Sequence, residues 1–257
     1  EGAGRAELVE QRLTDATAAK APLFDTREQL AGLTDSEVEA AAKLATEMGS
    51  PGKFALALVN TTQQPMLVRL TNRETRRKLF EASLTRTSSG DAQDLTGVIA
   101  EIAELRARKA ALLGLPNFAT YAMYDRMVKD PAQAIRFMAD FVPAVAARQR
   151  EELAMLQAAA RADGLNEPLQ AWDWSYYAEK VRQARYALDE SEIKPYFELW
   201  RTLEDGVFFA AGKLYGLTFE RRTDLPTYHP DMRVYTVRDD DGSELALFYL
   251  DPFARPN

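Results

Sequence analysis

Apolar residues recur at three- and four-residue intervals up to about residue 217, then at two-residue intervals from Met232 onward. This switch of period restricts the fold more than any other feature. Side chains share a face every 3.6 residues on a helix and every second residue on a strand. A mostly α chain is therefore predicted, with a helical bundle-like body over about 1–220 and a β-hairpin segment over about 226–257, its strands near residues 232–250.

Local end signals divide the helical part. Glu7 to Ala19 has helical spacing at Leu8, Val9, Leu13 and Ala16. Thr34 with Glu37 has capping-box spacing and opens a helix that Gly49-Ser50-Pro51-Gly52 stops. Phe54 to Val59 is a short apolar run, predicted as a strand, and the polar Asn60 to Pro65 ends it. A helix from Thr71 to Arg86 takes Thr71 or Asn72 as cap, and an amphipathic one runs from Leu95 to Gly114. Asn117 caps Phe118 to Met127, and Asp130-Pro131 opens a long helix to about Asp163, where Pro143 predicts a kink. Leu169 to Arg185 follows, then Tyr196 to Leu217, a helix expected to be buried through Phe197, Trp200, Leu203, Val207, Phe208, Ala211 and Leu214. Asp239 to Gly242 joins the two alternating runs in the manner of a hairpin turn.

Residue counts narrow the chemistry. There are no cysteines, which excludes disulfides, thiolate zinc sites and Cys nucleophiles. There is one histidine, His229, too few for the two or three that a catalytic zinc site without Cys uses. No G-x-S-x-G elbow, P-loop or G-x-G-x-x-G loop occurs. A net charge of −7 with interleaved signs argues against a nucleic-acid partner. No apolar run approaches the roughly 20 residues of a membrane span, so no membrane partner is expected. A cytoplasmic location is expected ahead of a periplasmic one.

Four groups invite a functional reading, and each has a plainer one that is preferred. Trp172, Trp174, Tyr176 and Tyr177 are read as core aromatics with polar tips at its edge, ahead of a sugar or peptide platform. Thr61 to Gln64 are read as partners for main-chain groups. His229 and Asp231, in a Pro-bounded loop, are read as a local structural contact ahead of a general base. Arg73, Arg76 and Arg77 are read as a solvated, ion-paired helix face.

Several segments in fixed order resemble the zinc oligopeptidase family of thimet oligopeptidase, oligopeptidase A and bacterial peptidyl-dipeptidase, and most of all the last branch. They are LVNTTQQPMLVRLTNRETR (Leu58 to Arg76), LRARKAALLGLPNFATYAMYDRMVKDP (Leu105 to Pro131), WDWSYYAEKVR (Trp172 to Arg182), KPYFEL (Lys194 to Leu199) and LPTYHPDMRVYTVRDDDGSELALFYLDPFAR (Leu225 to Arg255). The resemblance implies a clam-shaped, mostly helical enzyme whose channel admits short peptides. It implies an H-E-x-x-H helix with a further Glu holding zinc, and release of dipeptides from a free C-terminus.

This chain departs from that pattern in having no H-E-x-x-H. Residues 1–257 are therefore expected to be the central fragment of a larger zinc peptidyl-dipeptidase, inactive alone. Zinc belongs to the parent and none is bound by this chain. Its partners would be short peptides and the N- and C-terminal parts of the same polypeptide. The alternative is a stand-alone helical peptide-binding module without catalysis. No catalytic or metal residue is assigned here. Tyr249, Asp251 and Arg255 are weak candidates for the substrate-cleft wall, in a sheet expected to take extended peptide as an added strand. A fragment is also expected to expose an apolar patch larger than a monomer usually shows.

Overall fold

The helix ends in the first half of the chain follow the local signals closely. The structure, a computed structural model, describes residues 2–59, 64–186 and 193–253. It is mostly helical with two small antiparallel sheets, and contacts divide it into two units, residues 1–187 and 188–257.

In the first unit α1 spans Gly2–Ala19 and α2 spans Asp35–Glu47. Thr34 and Glu37 form the expected capping box, and Val38, Ala41 and Ala45 face the core. Gly49, at φ 77°, takes the left-handed conformation that ends a helix without a Cβ penalty. The strand foreseen over Phe54 to Val59 is only β2 (Phe54–Ala55), paired antiparallel with an unforeseen β1 (Leu23–Phe24). Leu56 and Leu58 still bury, as irregular backbone.

A 3-10 turn, Pro65–Val68, leads to α3 (Arg73–Thr85), capped by Asn72, whose side chain accepts from the Thr75 N–H at 3.1 Å. Phe24, Leu30, Val38, Leu56, Leu70 and Leu79 share one core. Each such side chain contributes about 1.5–3 kcal/mol on burial, so this cluster anchors the unit.

Helix α4 (Thr96–Leu112), α5 (Phe118–Ala122), α6 (Pro131–Ala162) and α7 (Ala171–Tyr186) complete it. α5 is about half as long as its signals suggest, because turns follow Ala122. α6 continues through Pro143 for 32 residues, about 48 Å at 1.5 Å per residue. Only Leu156 and Ala160 of α6 bury, against Tyr177 of α7.

The second unit departs further. The single buried helix foreseen over Tyr196 to Leu217 is a 3-10 turn (Lys194–Phe197), α8 (Leu199–Arg201), a π-helical segment (Thr202–Phe208) and α9 (Phe209–Tyr215). None of its described residues is buried, and Phe197, Val207 and Leu214 are exposed. Helical spacing marks which residues share a face, but cannot say whether that face is covered. Gly216 at φ 75° ends α9 as expected.

The hairpin is present, as β4 (Arg233–Arg238) and β5 (Glu244–Leu250), and a third strand, β3 (Thr218–Arg222), joins it. The order is β3-β4-β5, all antiparallel. The register sets Tyr235 opposite Phe248 and Phe219 opposite Val237, so Phe219, Tyr235 and Phe248 share one face. Phe208 of the π segment packs there, stacked on Phe219 at 3.9 Å and edge-on to Tyr235 at 4.8 Å. The opposite face carries Arg222, Thr236, Leu247 and Tyr249.

Candidate functional site

Among the described residues β5 is an edge strand, with β4 on one side and no strand on the other. Leu245, Leu247 and Tyr249 alternate along it toward the face away from Phe208, and all three are exposed. Tyr249 stands opposite Val234. Asp251, just past the strand, accepts a hydrogen bond from the Tyr228 hydroxyl, which ties the loop before β4 to the end of β5. Arg255 lies outside the described residues, as do Thr61, Thr62 and Gln63. Tyr249 and Asp251 thus stand at one end of the sheet.

The helical side of the same sheet carries a polar cluster that the residue pattern did not reveal. Glu204 Oε1 accepts from the Tyr235 hydroxyl at 2.8 Å and from Arg233 Nη1 at 2.8 Å. Arg233 lies over the Trp200 ring at 3.6 Å, and Phe253 meets Trp200 edge-on at 6.2 Å. The Tyr235 hydrogen bond, together with Arg233, holds the Glu204 carboxyl below its ordinary range. Burial, with Glu204 beside it, pushes the Tyr235 hydroxyl up. Glu204 sits in the π segment, an irregularity that often marks functional positions. Phe208 and Glu204 are four apart and so share one helical face, but spacing alone does not say that this face meets the sheet.

His229 Nδ1 accepts from the Asp231 N–H at 3.2 Å and lies 3.4 Å from the Asp231 carboxylate. A ring nitrogen that accepts a main-chain proton has none for the carboxylate, so this is the geometry of a local turn. A catalytic zinc needs several imidazole or carboxylate donors together. With one His and no Cys in the chain, and no group of three His, Cys, Asp or Glu at metal-holding spacing among the described residues, this donor set does not fit such a site.

In the first unit the arginine cluster separates into two kinds. Arg77 is the surface pair expected, with Glu74 at 2.5 Å and Glu81 at 2.9 Å. Arg76 is not solvated: it is 2% exposed and its Nη2 bonds Asp173, itself 0% exposed, at 3.0 Å. Arg73 donates to the same carboxylate at 2.9 Å, and Arg76 Nη1 donates to the Leu70 carbonyl at 2.8 Å. The Arg76 guanidinium lies 4.2 Å from the centre of the Tyr176 ring, and buried Arg76 Nε has no hydrogen-bond partner among the described residues. Burial alone would raise the Asp173 pKa, but the hydrogen bonds from Arg73 and Arg76 outweigh it and hold the group below 3.8. The missed signal was positional, since Arg76 shares a helix face with Leu79 and Ser83, both buried.

The aromatic group behaves as core. Tyr177 is buried, Trp172 meets Phe80 edge-on at 6.4 Å, and Tyr176 meets Tyr177 at 5.1 Å. Gln64 is buried and serves main chain, accepting from the Val59 N–H at 2.9 Å and donating to the Val59 carbonyl at 3.3 Å, and it also donates to the Ser83 side-chain Oγ at 2.7 Å.

Comparison with known proteins adds what the geometry lacks. The signature of peptidase family M3 matches residues 66–257. Dipeptidyl carboxypeptidase of Salmonella typhimurium is 45% identical over 245 residues, covering 95% of this chain and 36% of the relative. Dipeptidyl carboxypeptidase of Escherichia coli is 44% identical over the same share of each. Oligopeptidase A of Salmonella typhimurium is 32% identical over 94% of this chain and 36% of its own length. The chain therefore spans little more than a third of the curated relatives it matches.

Proposed function

The chain belongs to peptidase family M3, a family of zinc metallopeptidases, and from that premise we propose that it is the central portion of a peptidyl-dipeptidase that removes dipeptides from the C-terminus of short peptides. The observation that carries this reading is the 45% identity to a dipeptidyl carboxypeptidase, sustained over 95% of the chain.

The chain's own part is to build walls rather than to perform hydrolysis. Its single imidazole leaves the zinc and the activated water to polypeptide outside these 257 residues. β5 supports a role in holding substrate. Its outer edge has no described strand beside it, so its main-chain groups can pair with an extended segment. Leu245, Leu247 and Tyr249 then offer side chains at alternate positions beside that segment, and Asp251 stands at the strand's end. Arg255 is carried in the same proposal as a cleft-wall residue by its place in the chain.

The test compares two polypeptides, the 257 residues alone and the full product of the gene, each assayed for bound zinc and for dipeptide release from a tetrapeptide. The full product is expected to bind zinc and release C-terminal dipeptides, and the 257 residues to do neither. A reading frame that closes after Asn257 without an H-E-x-x-H, or robust hydrolysis by the pure 257-residue chain with stoichiometric zinc, overturns the proposal.

A further inference from the structure

The N-terminal half of α6 presents a row of apolar side chains that nothing among the described residues of its own unit covers. Ile135 is 62% exposed, Met138 60%, Val142 61% and Val145 59%. They are spaced three, four and three residues apart, so they form one face. Followed at the same spacing, that face arrives at Leu156 and Ala160, which are 4% and 0% exposed against Tyr177 of α7. The same stripe is therefore core at one end of the helix and bare at the other. Phe137 and Phe141 widen it, their rings edge-to-face at 5.0 Å and both more than half exposed.

A helix polar on its outer face and apolar on one stripe is built to bury that stripe. Single exposed apolar residues need no explanation, but a continuous row of large ones marks an interaction surface. We propose that the α6 face from Ile135 to Val145 docks apolar polypeptide of the same parent enzyme lying outside these 257 residues. The inference rests on the reading of the chain as a portion of a larger M3 peptidase. Length argues for this occupant: the relatives match 95% of this chain but only 36% of themselves, so most of their polypeptide is available to cover such a face. Beyond Gln149 the same side of the helix enters a helix–helix core already formed by Leu156, Ala160 and Tyr177, so a further helix laid beside α6 extends an existing layer.

The absence of cysteine makes the test clean, because one introduced thiol is the only thiol this segment contributes. Val142→Cys is placed on the docking face and Ser36→Cys on the exposed first turn of α2 as a control. Each is made in the 257-residue chain and in the full gene product, with any cysteine elsewhere in the latter replaced, and the rate of thiol modification is measured. In the short chain both thiols are expected to react at similar rates. In the full product V142C should slow by about 100-fold or more, as for a site reached only when an interface opens, while S36C should not change.

Equal rates for V142C in both polypeptides overturn the proposal. So does a slow V142C reaction in the dilute short chain, which would mean that the face is covered by the chain's second unit or by a second copy. Dipeptide release is measured on the same full-length samples. An active enzyme with a fast V142C reaction removes this inference alone, whereas a protected thiol in a polypeptide without dipeptidase activity removes the functional reading alone.

Discussion

Replacing Asp173 by Asn keeps the side chain's volume, removes its charge, and leaves Arg76 buried opposite a neutral amide. Asp173 is 0% exposed and Arg76 2%, so water can compensate neither. The carboxylate now accepts from Arg76 at 3.0 Å, from Arg73 at 2.9 Å and from the Gln170 N–H at 3.1 Å. Arg73, partly exposed, already pairs with Glu167 at 2.5 Å, but Arg76 is held by the Leu70 and Thr71 carbonyls and has no second acid among the described residues. Breaking a buried pair by removing one partner costs about 3–5 kcal/mol. For a unit of 187 residues each kcal/mol moves the transition by about 2–4 °C, so D173N should melt about 6–20 °C lower. Urea and thermal unfolding of the 257-residue chain, followed by circular dichroism, measure this. Glu74→Gln, which breaks an exposed pair with Arg77, is the control and should cost less than about 1 kcal/mol. Arg76→Met combined with Asp173→Leu should recover much of the loss, since apolar replacement of both charges removes the desolvation penalty too. A D173N loss no larger than that of the Glu74 control would refute the reasoning.

The same pair sets a pH dependence. Because Asp173 is held below 3.8 in the fold, its contribution is complete above 3.8 and is lost as pH falls through the lower folded value; the stability difference between wild type and D173N, measured by urea midpoints, should shrink over that window. Gly32→Ala should lower stability by about 2 kcal/mol or more in the same assay, because φ is +99° and an added Cβ would stand 1.9 Å from the Arg69 carbonyl oxygen. Gln64→Leu should cost about 1–3 kcal/mol by leaving the Val59 N–H and Ser83 without their buried partner; a loss below 0.5 kcal/mol would show that those groups find others. Glu204→Gln should lower the Tyr235 titration midpoint in an ultraviolet absorbance scan, though not fully to 10.0, since burial, the larger cause, is unchanged.

What could be read in the sequence was whatever a residue settles with neighbours a few positions away. Thr34 with Glu37, Asn72, Asn117 and Asp130 each cap a helix through a main-chain N–H two or three residues on, and Gly49 and Gly216 end helices by adopting positive φ themselves. The change from helical to alternating spacing likewise located β4 and β5. Tertiary structure alone decided the rest, because it depends on partners far along the chain. Arg76 and Asp173 are 97 residues apart, so although its place beside Leu79 and Ser83 turns Arg76 inward, no neighbour reveals that a buried carboxylate awaits it. β3 became a strand because β4 was there to pair with it, and only the fold brings the face shared by Glu204 and Phe208 onto that sheet. The apolar row of α6 was legible as a helix face, but only the folded chain shows that its last third is covered and the remainder bare, since periodicity records which side chains align and packing determines what they meet.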